Sequence, residues 1–270
     1  MPLSNKKISL HVHNPESDAP ALVLLHGWGL NQAIWIPLVS NLTPHFRVIT
    51  LDLPGFGESG WRADHAHFDH TTTDIMAAVS QVTSQPFFLA GWSMGGLFAT
   101  HLARQYPTYI RGLVTIASSP CFVEQAPDWP GIKEETLASF RYQLSTDFRK
   151  TLERFLAVQA LGSPRAREEI KTMRALLAEK PEPHPQALAA GLRWLAEVDL
   201  RAEMPLLEPP LLRLYGRLDS LVPQRAQAAV ERTLTNQDDT AVTFTQSAHA
   251  PFLTETELLI ETLVAWCESR

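Results

Sequence analysis

The string Leu89-Ala-Gly-Trp-Ser-Met-Gly-Gly-Leu97 constrains the fold more than any other part of this chain. It carries Gly91-x-Ser93-x-Gly95 directly after the apolar run Phe87-Phe-Leu-Ala90 and directly before a helical pattern that starts at Met94. A serine so flanked occupies a sharp strand-to-helix turn. The glycines let neighbouring chain segments approach closely, and the start of the helix faces the hydroxyl. The spacing alone recurs by chance in many proteins, and a plain structural turn is the competing reading. The strand before it and the helix after it are what point to a nucleophile.

Other apolar runs repeat this arrangement. Ala21–Leu25, Phe46–Leu51, Leu113–Ala117, Leu211–Tyr215 and Val242–Thr245 are short and several are near-continuous, as in strands covered on both faces. Helical patterns lie near 32–42, 71–83, 94–105, 223–234 and 255–267. The alternation predicts an α/β fold with a mostly parallel central sheet flanked by helices. One stretch breaks the rhythm. From Cys121 to about Glu208 no convincing strand occurs, and Pro127, Pro130, Pro164, Pro181, Pro183 and Pro185 punctuate helical patterns. The expected organisation is a core of residues 1–120 and 209–270, with 121–208 inserted as a helical cap (lid) over the sheet's carboxyl edge, where ligands bind in such folds.

With 270 residues, the chain can bury roughly three quarters of its unfolded surface, so a core needs no staples. Its net charge of −6 lacks the basic excess of a nucleic-acid binder. Cys121 and Cys267 form neither a metal spacing nor a disulfide framework. The first ten residues have no apolar signal core, and no run of about 18 apolar residues could span a membrane. A cytoplasmic monomer with no membrane partner is the expectation.

A serine hydroxyl is too weakly acidic to attack unaided, so it needs a base, and the base needs an orienting partner. Behind such a turn the acid follows first and the histidine second. Gly216-Arg-Leu-Asp219 follows one late apolar run, and Gln246-Ser-Ala-His249 follows the next, so Ser93, Asp219 and His249 are expected at one edge of the sheet. A turn or capping role competes for each partner, and Asp199 is a weaker candidate acid. Asp238 and Asp239 stand at the wrong end of the last strand and read as solvated turn residues. His26-Gly-Trp-Gly29 follows the run 21–25. Main-chain N–H groups of Trp28 and of Met94, the residue after the nucleophile, are the candidate oxyanion donors.

These strings, with Asp52-Leu-Pro-Gly-Phe-Gly57, resemble the α/β-hydrolase superfamily over the whole chain. Leu24-Leu-His-Gly-Trp-Gly-Leu-Asn31, Ala117-Ser-Ser-Pro-Cys-Phe122, Trp129-Pro-Gly-Ile-Lys133, Leu214–Pro223 and Ala248-His-Ala-Pro-Phe252 are similar, more narrowly, to the pimeloyl-acyl carrier protein methyl ester esterases of biotin synthesis. The resemblance implies a carboxylesterase that removes a methyl group from a carrier-bound ester. It also implies substrate contacts from Trp28, Ser93, Met94, His249 and the stretch Phe155, Leu156, Ala157, Val158 and Gln159. Val158 stands where the family carries leucine.

Residues 149–174 hold seven basic and three acidic residues, net +4 within a chain of −6. Lys150 and Arg154, and likewise Arg167 and Lys171, are spaced to share a helix face. Phe148, Leu152, Phe155 and Gln159 form the opposite, mostly apolar stripe of the first helix. A solvated surface explains the charge on composition alone. The resemblance implies docking of an acidic acyl carrier protein on Lys150, Arg154, Arg167 and Lys171, with lysine at two positions keeping charge but losing the guanidinium fork. His65-Ala-His67-Phe-Asp-His70 reads as a polar loop rather than a metal site, Asp52 as a turn residue, and no phosphate or dinucleotide loop appears. The expected chemistry is a two-step acyl transfer to water without cofactor or metal, active on small-molecule esters in vitro. A general short-chain carboxylesterase or carbon–carbon bond hydrolase, and a hydrolase-fold receptor without turnover, are the alternatives.

Overall fold

A computed structural model describes residues 7–234 and 238–270. Among the described residues, the strands β1 (Leu10–Val12), β2 (Ala21–Leu25), β3 (Arg47–Leu51), β4 (Phe87–Trp92), β5 (Ile110–Ile116), β6 (Leu211–Gly216) and β7 (Asp239–Phe244) form one sheet. Its order is β1-β3-β2-β4-β5-β6-β7, parallel throughout except for β1, which pairs antiparallel with β3. Every residue of β2, β4 and β6 is buried, which is why their sequences read as apolar runs rather than alternating ones.

The helices are α1 (Ile36–Leu42), α2 (Phe68–Val79), α3 (Met94–Gln105), α4 (Glu134–Thr146), α5 (Phe148–Gln159), α6 (Ala166–Ala178), α7 (Pro185–Glu197), α8 (Gln224–Glu231), the short α9 (Pro251–Thr254) and α10 (Thr256–Glu268). Alternate strand side chains feed two core layers. Val23, Leu25 and Leu89 pack with α2, α3 and α8, whereas Leu22, Leu24, Phe88 and Ala90 pack with α1 and α10. Truncating one such leucine, for example Leu263 on α10 at 1% exposure, costs about 2–5 kcal/mol.

Helices α4–α7 fill the sequence between β5 and β6 without contributing to the sheet. Both ends of this excursion are tied together. Cys121 bridges Asp199, and the Leu200 N–H donates to the Pro120 carbonyl at 2.8 Å.

Local departures from the sequence expectation have physical reasons. The helix expected over 32–42 divides into a 3₁₀ turn, Gln32–Trp35, and α1, with Pro37 in the first turn of α1. Strand β1 is only three residues long, too short to show a period. Strand β7 begins at Asp239, which is no solvated turn residue: its carboxylate takes the Arg213 Nε–H at 2.7 Å, giving that buried guanidinium its counter-charge. Asp238 pairs with Arg270.

Candidate active site

Ser93 stands between the last residue of β4 and the first of α3 with φ 53° and ψ −122°, a conformation costly for a residue with a Cβ. Its surroundings hold it there. The Ser93 N–H donates to the Ile116 carbonyl at 2.9 Å, and the Ser93 carbonyl accepts from the Gly96 N–H at 2.9 Å and the Ser118 hydroxyl at 2.8 Å. A Cβ on Gly91 would run into the Gly95 carbonyl, and one on Gly95 into that of Leu25, so only glycines let α3 sit this close to the sheet.

Asp219 and His249 lie on the loops after β6 and β7 and are buried, as is Ser93; His249 stands between the other two. The Ser93 hydroxyl is 2.8 Å from His249 Nε2, and His249 Nδ1 is 2.8 Å from Asp219 Oδ2. Asp219 Oδ1 also accepts the N–H groups of Leu221 and Val222, at 2.8 and 3.0 Å, which fixes the rotation of the carboxylate. With Nδ1–H donating to Asp219, the lone pair of Nε2 is left to receive the serine proton. The His249 backbone is clamped too: its N–H donates to the Gln159 carbonyl at 3.1 Å, and its carbonyl accepts the Trp92 indole N–H at 2.7 Å.

The loop after β2 is braced from below. His26 is fully buried. Its Nδ1–H donates to the Gly27 carbonyl at 2.8 Å, and its Nε2 accepts the Leu53 N–H at 2.9 Å, so the ring is neutral. Burial holds its pKa below the ordinary imidazole range, against the pull of Asp52. Asp52 accepts from the Gln32 N–H (2.7 Å), Gln32 Nε2 (3.0 Å) and the Glu58 N–H (2.9 Å), closing its own turn as expected and tying it to the loop after β2. Trp28 rides on this base. Its indole N–H donates to the Leu188 carbonyl of α7 at 2.9 Å, and its ring lies 4.6 Å from that of Phe155 on α5. Met94 opens α3, so its N–H is among those with no partner inside the helix.

The stretch 155–159 does not act as a block. Phe155 packs on Trp28, Val158 is half-buried against the same layer, and Gln159 is buried with its Oε1 unpartnered among the described residues. Leu156 instead joins the opposite layer with Trp92 and Phe252, and Ala157 is exposed. A helix cannot turn five consecutive residues toward one side, and Leu156 and Ala157 face away from Trp28. Lys150, Arg154, Arg167 and Lys171 are all exposed, and among the described residues no carboxylate lies within 4.0 Å of any of them. The other cations of the segment are paired: Arg149 with Glu182, Arg165 with Glu168 and Arg174 with Glu153.

Asp199 plays no part in the cluster; it forms an ion pair with Arg201, whose guanidinium holds its carboxyl below the usual range. His65 is buried against Asp74 at 2.9 Å, while His67 and His70 are exposed. Sequence reasoning missed α7 as a wall of the site. A Cβ on Gly191 would run into the Trp28 ring and stand 3.0 Å from Met94 Sδ. An isolated glycine inside the helical pattern Ala187-Leu-Ala-Ala-Gly191-Leu-Arg-Trp194 was the available signal.

A family model described as the alpha/beta hydrolase fold matches residues 20–256. The chain is 45% identical over 251 residues to the pimeloyl-[acyl-carrier protein] methyl ester esterase of Vibrio vulnificus (strain YJ016), covering 93% of this chain and 95% of that protein. It is 44% identical to the protein of the same name from Aeromonas salmonicida (strain A449), covering 90% and 94%. Among solved structures, a bromoperoxidase from Bacillus anthracis superposes with a TM-score of 0.86 at 21% identity, covering 97% of this chain and 95% of that one. An esterase from Exiguobacterium antarcticum superposes at 0.84 and 21%, covering 97% and 94%. At such identities the likeness is one of fold. The chain therefore belongs to the α/β-hydrolase fold family and, within it, to the family of the pimeloyl-[acyl-carrier protein] methyl ester esterases.

Proposed function

We propose that this chain is a serine carboxylesterase that hydrolyses the methyl ester of pimeloyl-acyl carrier protein, releasing methanol, in biotin biosynthesis. The observation that carries the reading is the unbroken Ser93–His249–Asp219 relay, with 2.8 Å at each step, in a chain 45% identical to an esterase of that name.

His249 takes the proton of Ser93 as the serine oxygen bonds to the ester carbonyl carbon. The N–H groups of Trp28 and Met94 hold the resulting oxyanion; one such donor is worth about 10²–10³ in rate. The tetrahedral centre collapses, the carbon–oxygen bond to methoxide breaks, and His249 protonates the departing methanol. Water then gives its proton to His249 and attacks the acyl-enzyme. Its collapse returns the proton to Ser93 and frees the carboxylate. Asp219 holds the imidazole in the working tautomer and stabilises its charged form. Trp28, Phe155, Val158 and Gln159 line the acyl path, the unpartnered Gln159 amide oxygen offering one polar contact. Residues 121–208 act as the cap over a core of 1–120 and 209–270.

Lys150, Arg154, Arg167 and Lys171 are the docking cations for the acidic carrier. Their lack of carboxylate partners among the described residues supports this, because a patch neutralised within its own chain steers nothing. No helix among the described residues is long and apolar enough to cross a membrane. On this reading the enzyme is a cytoplasmic monomer.

The test is hydrolysis of methyl pimeloyl-carrier protein by purified wild type and Ser93→Ala, paired with rescue of a biotin-requiring strain. Ser93→Ala is expected to lower kcat by about 10⁵–10⁶ and to abolish rescue. Turnover retained by a clean Ser93→Ala preparation sinks the assignment.

A further inference from the structure

The charged face formed by α5 and α6 has an apolar end. On α5, Lys150, Arg154 and Ala157 follow at spacings of four and three and are all exposed, so they form one outward stripe. Leu161, four positions further on in the turn that closes the helix, is 60% exposed. The Glu153–Arg174 ion pair ties the first half of α5 to the second half of α6, so α6 runs back along α5. The turn between them therefore brings Leu161 to the end of α6 that carries Arg167 and Lys171.

A lone exposed leucine is ordinary. Leu161 differs in its setting: Ala157 stands one turn before it, and its turn joins α5, which carries Lys150 and Arg154, to α6, which carries Arg167 and Lys171, four exposed cations without carboxylate partners among the described residues. An exposed apolar side chain next to charges free to meet a partner gives a protein interface its desolvated contact, whereas a surface meant only for water gains nothing from a leucine there. The same turn is fastened to the catalytic machinery. Gln159 holds the His249 N–H, and Gly162 packs beside the Leu218 carbonyl, next in sequence to Asp219.

We propose that Leu161, supported by Ala157, is the apolar anchor of the carrier-docking face. The acidic surface of the carrier lies across Lys150, Arg154, Arg167 and Lys171 and seats one apolar side chain on Leu161. The inference rests on the carrier-ester reading above. Charge sets encounter rate and orientation, and its contribution falls with salt. The anchor slows dissociation, and its contribution persists in salt.

Wild type, Leu161→Asn, Leu161→Met and the double variant Lys150→Glu/Arg154→Glu are compared on methyl pimeloyl-carrier protein and on free dimethyl pimelate. Each is assayed at low salt and at roughly 0.5 M salt, where the Debye length is about 4 Å. Leu161→Asn is expected to raise KM for the carrier-bound ester roughly tenfold at both salt levels, with little change on the free ester. Leu161→Met keeps the wild-type KM, and the charge-reversed variant raises it at low salt only. A carrier-ester KM within twofold of wild type in Leu161→Asn, beside a clear effect of charge reversal, overturns the anchor and leaves the docking face standing. A wild type that shows no preference for the carrier-bound over the free ester removes the carrier reading, and the anchor falls with it.

Discussion

The Gln159 carbonyl at the end of α5 accepts the His249 N–H at 3.1 Å, so a helix of the β5–β6 excursion holds the backbone of the residue that links Ser93 to Asp219. The imidazole is thus fixed from two directions, since the Trp92 indole takes hold of the His249 carbonyl from the sheet side.

Trp92→Phe removes that second hold. A buried carbonyl loses the indole donor, a change of about 1–3 kcal/mol, while the ring volume that packs on Phe252 is largely kept. The expected result is a kcat about tenfold lower with KM nearly unchanged, because the histidine loop loosens without altering the acyl path. Steady-state kinetics on a p-nitrophenyl ester reads both numbers; a lowered Tm with unchanged kcat would show that Trp92 serves packing alone.

Gly191→Ala pushes a methyl into Trp28 and toward Met94, the two residues proposed to donate to the oxyanion. A displacement of a few tenths of an ångström at those donors is expected to lower kcat by about 10–100-fold. Adding Trp28→Phe, which removes the five-membered ring edge that the methyl meets, should return part of the loss. A double variant as slow as the product of the two single effects would refute this steric coupling.

Asp219→Asn keeps the shape of the cluster but presents an amide to His249 Nδ1. The neutral imidazole then turns to the wrong tautomer, with a proton where the serine proton must go. The expected loss in kcat is about 10⁴-fold with retained substrate binding. A loss below tenfold would place the working acid elsewhere.

Two histidines set an acid limit to stability. Burial, with His11 beside it, pushes the His13 pKa down from 6.5 to about 4, and burial lowers that of His26. Both groups therefore bind more protons unfolded than folded below pH 6.5. Stability is fully present above that pH and declines as pH falls toward the folded values. The urea midpoint is expected to be lower at about pH 5.5 than at about pH 7.5, and His13→Asn should narrow the gap. Equal midpoints at the two pH values in the wild type would refute the linkage.

The relay was legible because each member sits one loop beyond an apolar run, and β4, β6 and β7 all point their carboxyl ends the same way. What lay hidden depends on helix rotation and on distant partners. The string 155–159 gives no hint that Leu156 and Ala157 turn away from Trp28, since that depends on how α5 lies against α4 and α6. Asp239 looked solvated because its partner, Arg213, is charged and sits mid-strand, and two charges read separately both suggest water. Likewise the turn at Asp52 was legible, but its tie to Gln32 on the loop after β2 was not.

The stapling of Cys121 to Asp199 and of Pro120 to Leu200 has an evolutionary corollary. A detour pinched shut where it departs and returns adds little closure entropy as it lengthens or shrinks, so its content can drift while the hydrolytic apparatus is inherited intact. Whatever fills the detour, one carbonyl must still reach the histidine, as that of Gln159 does here.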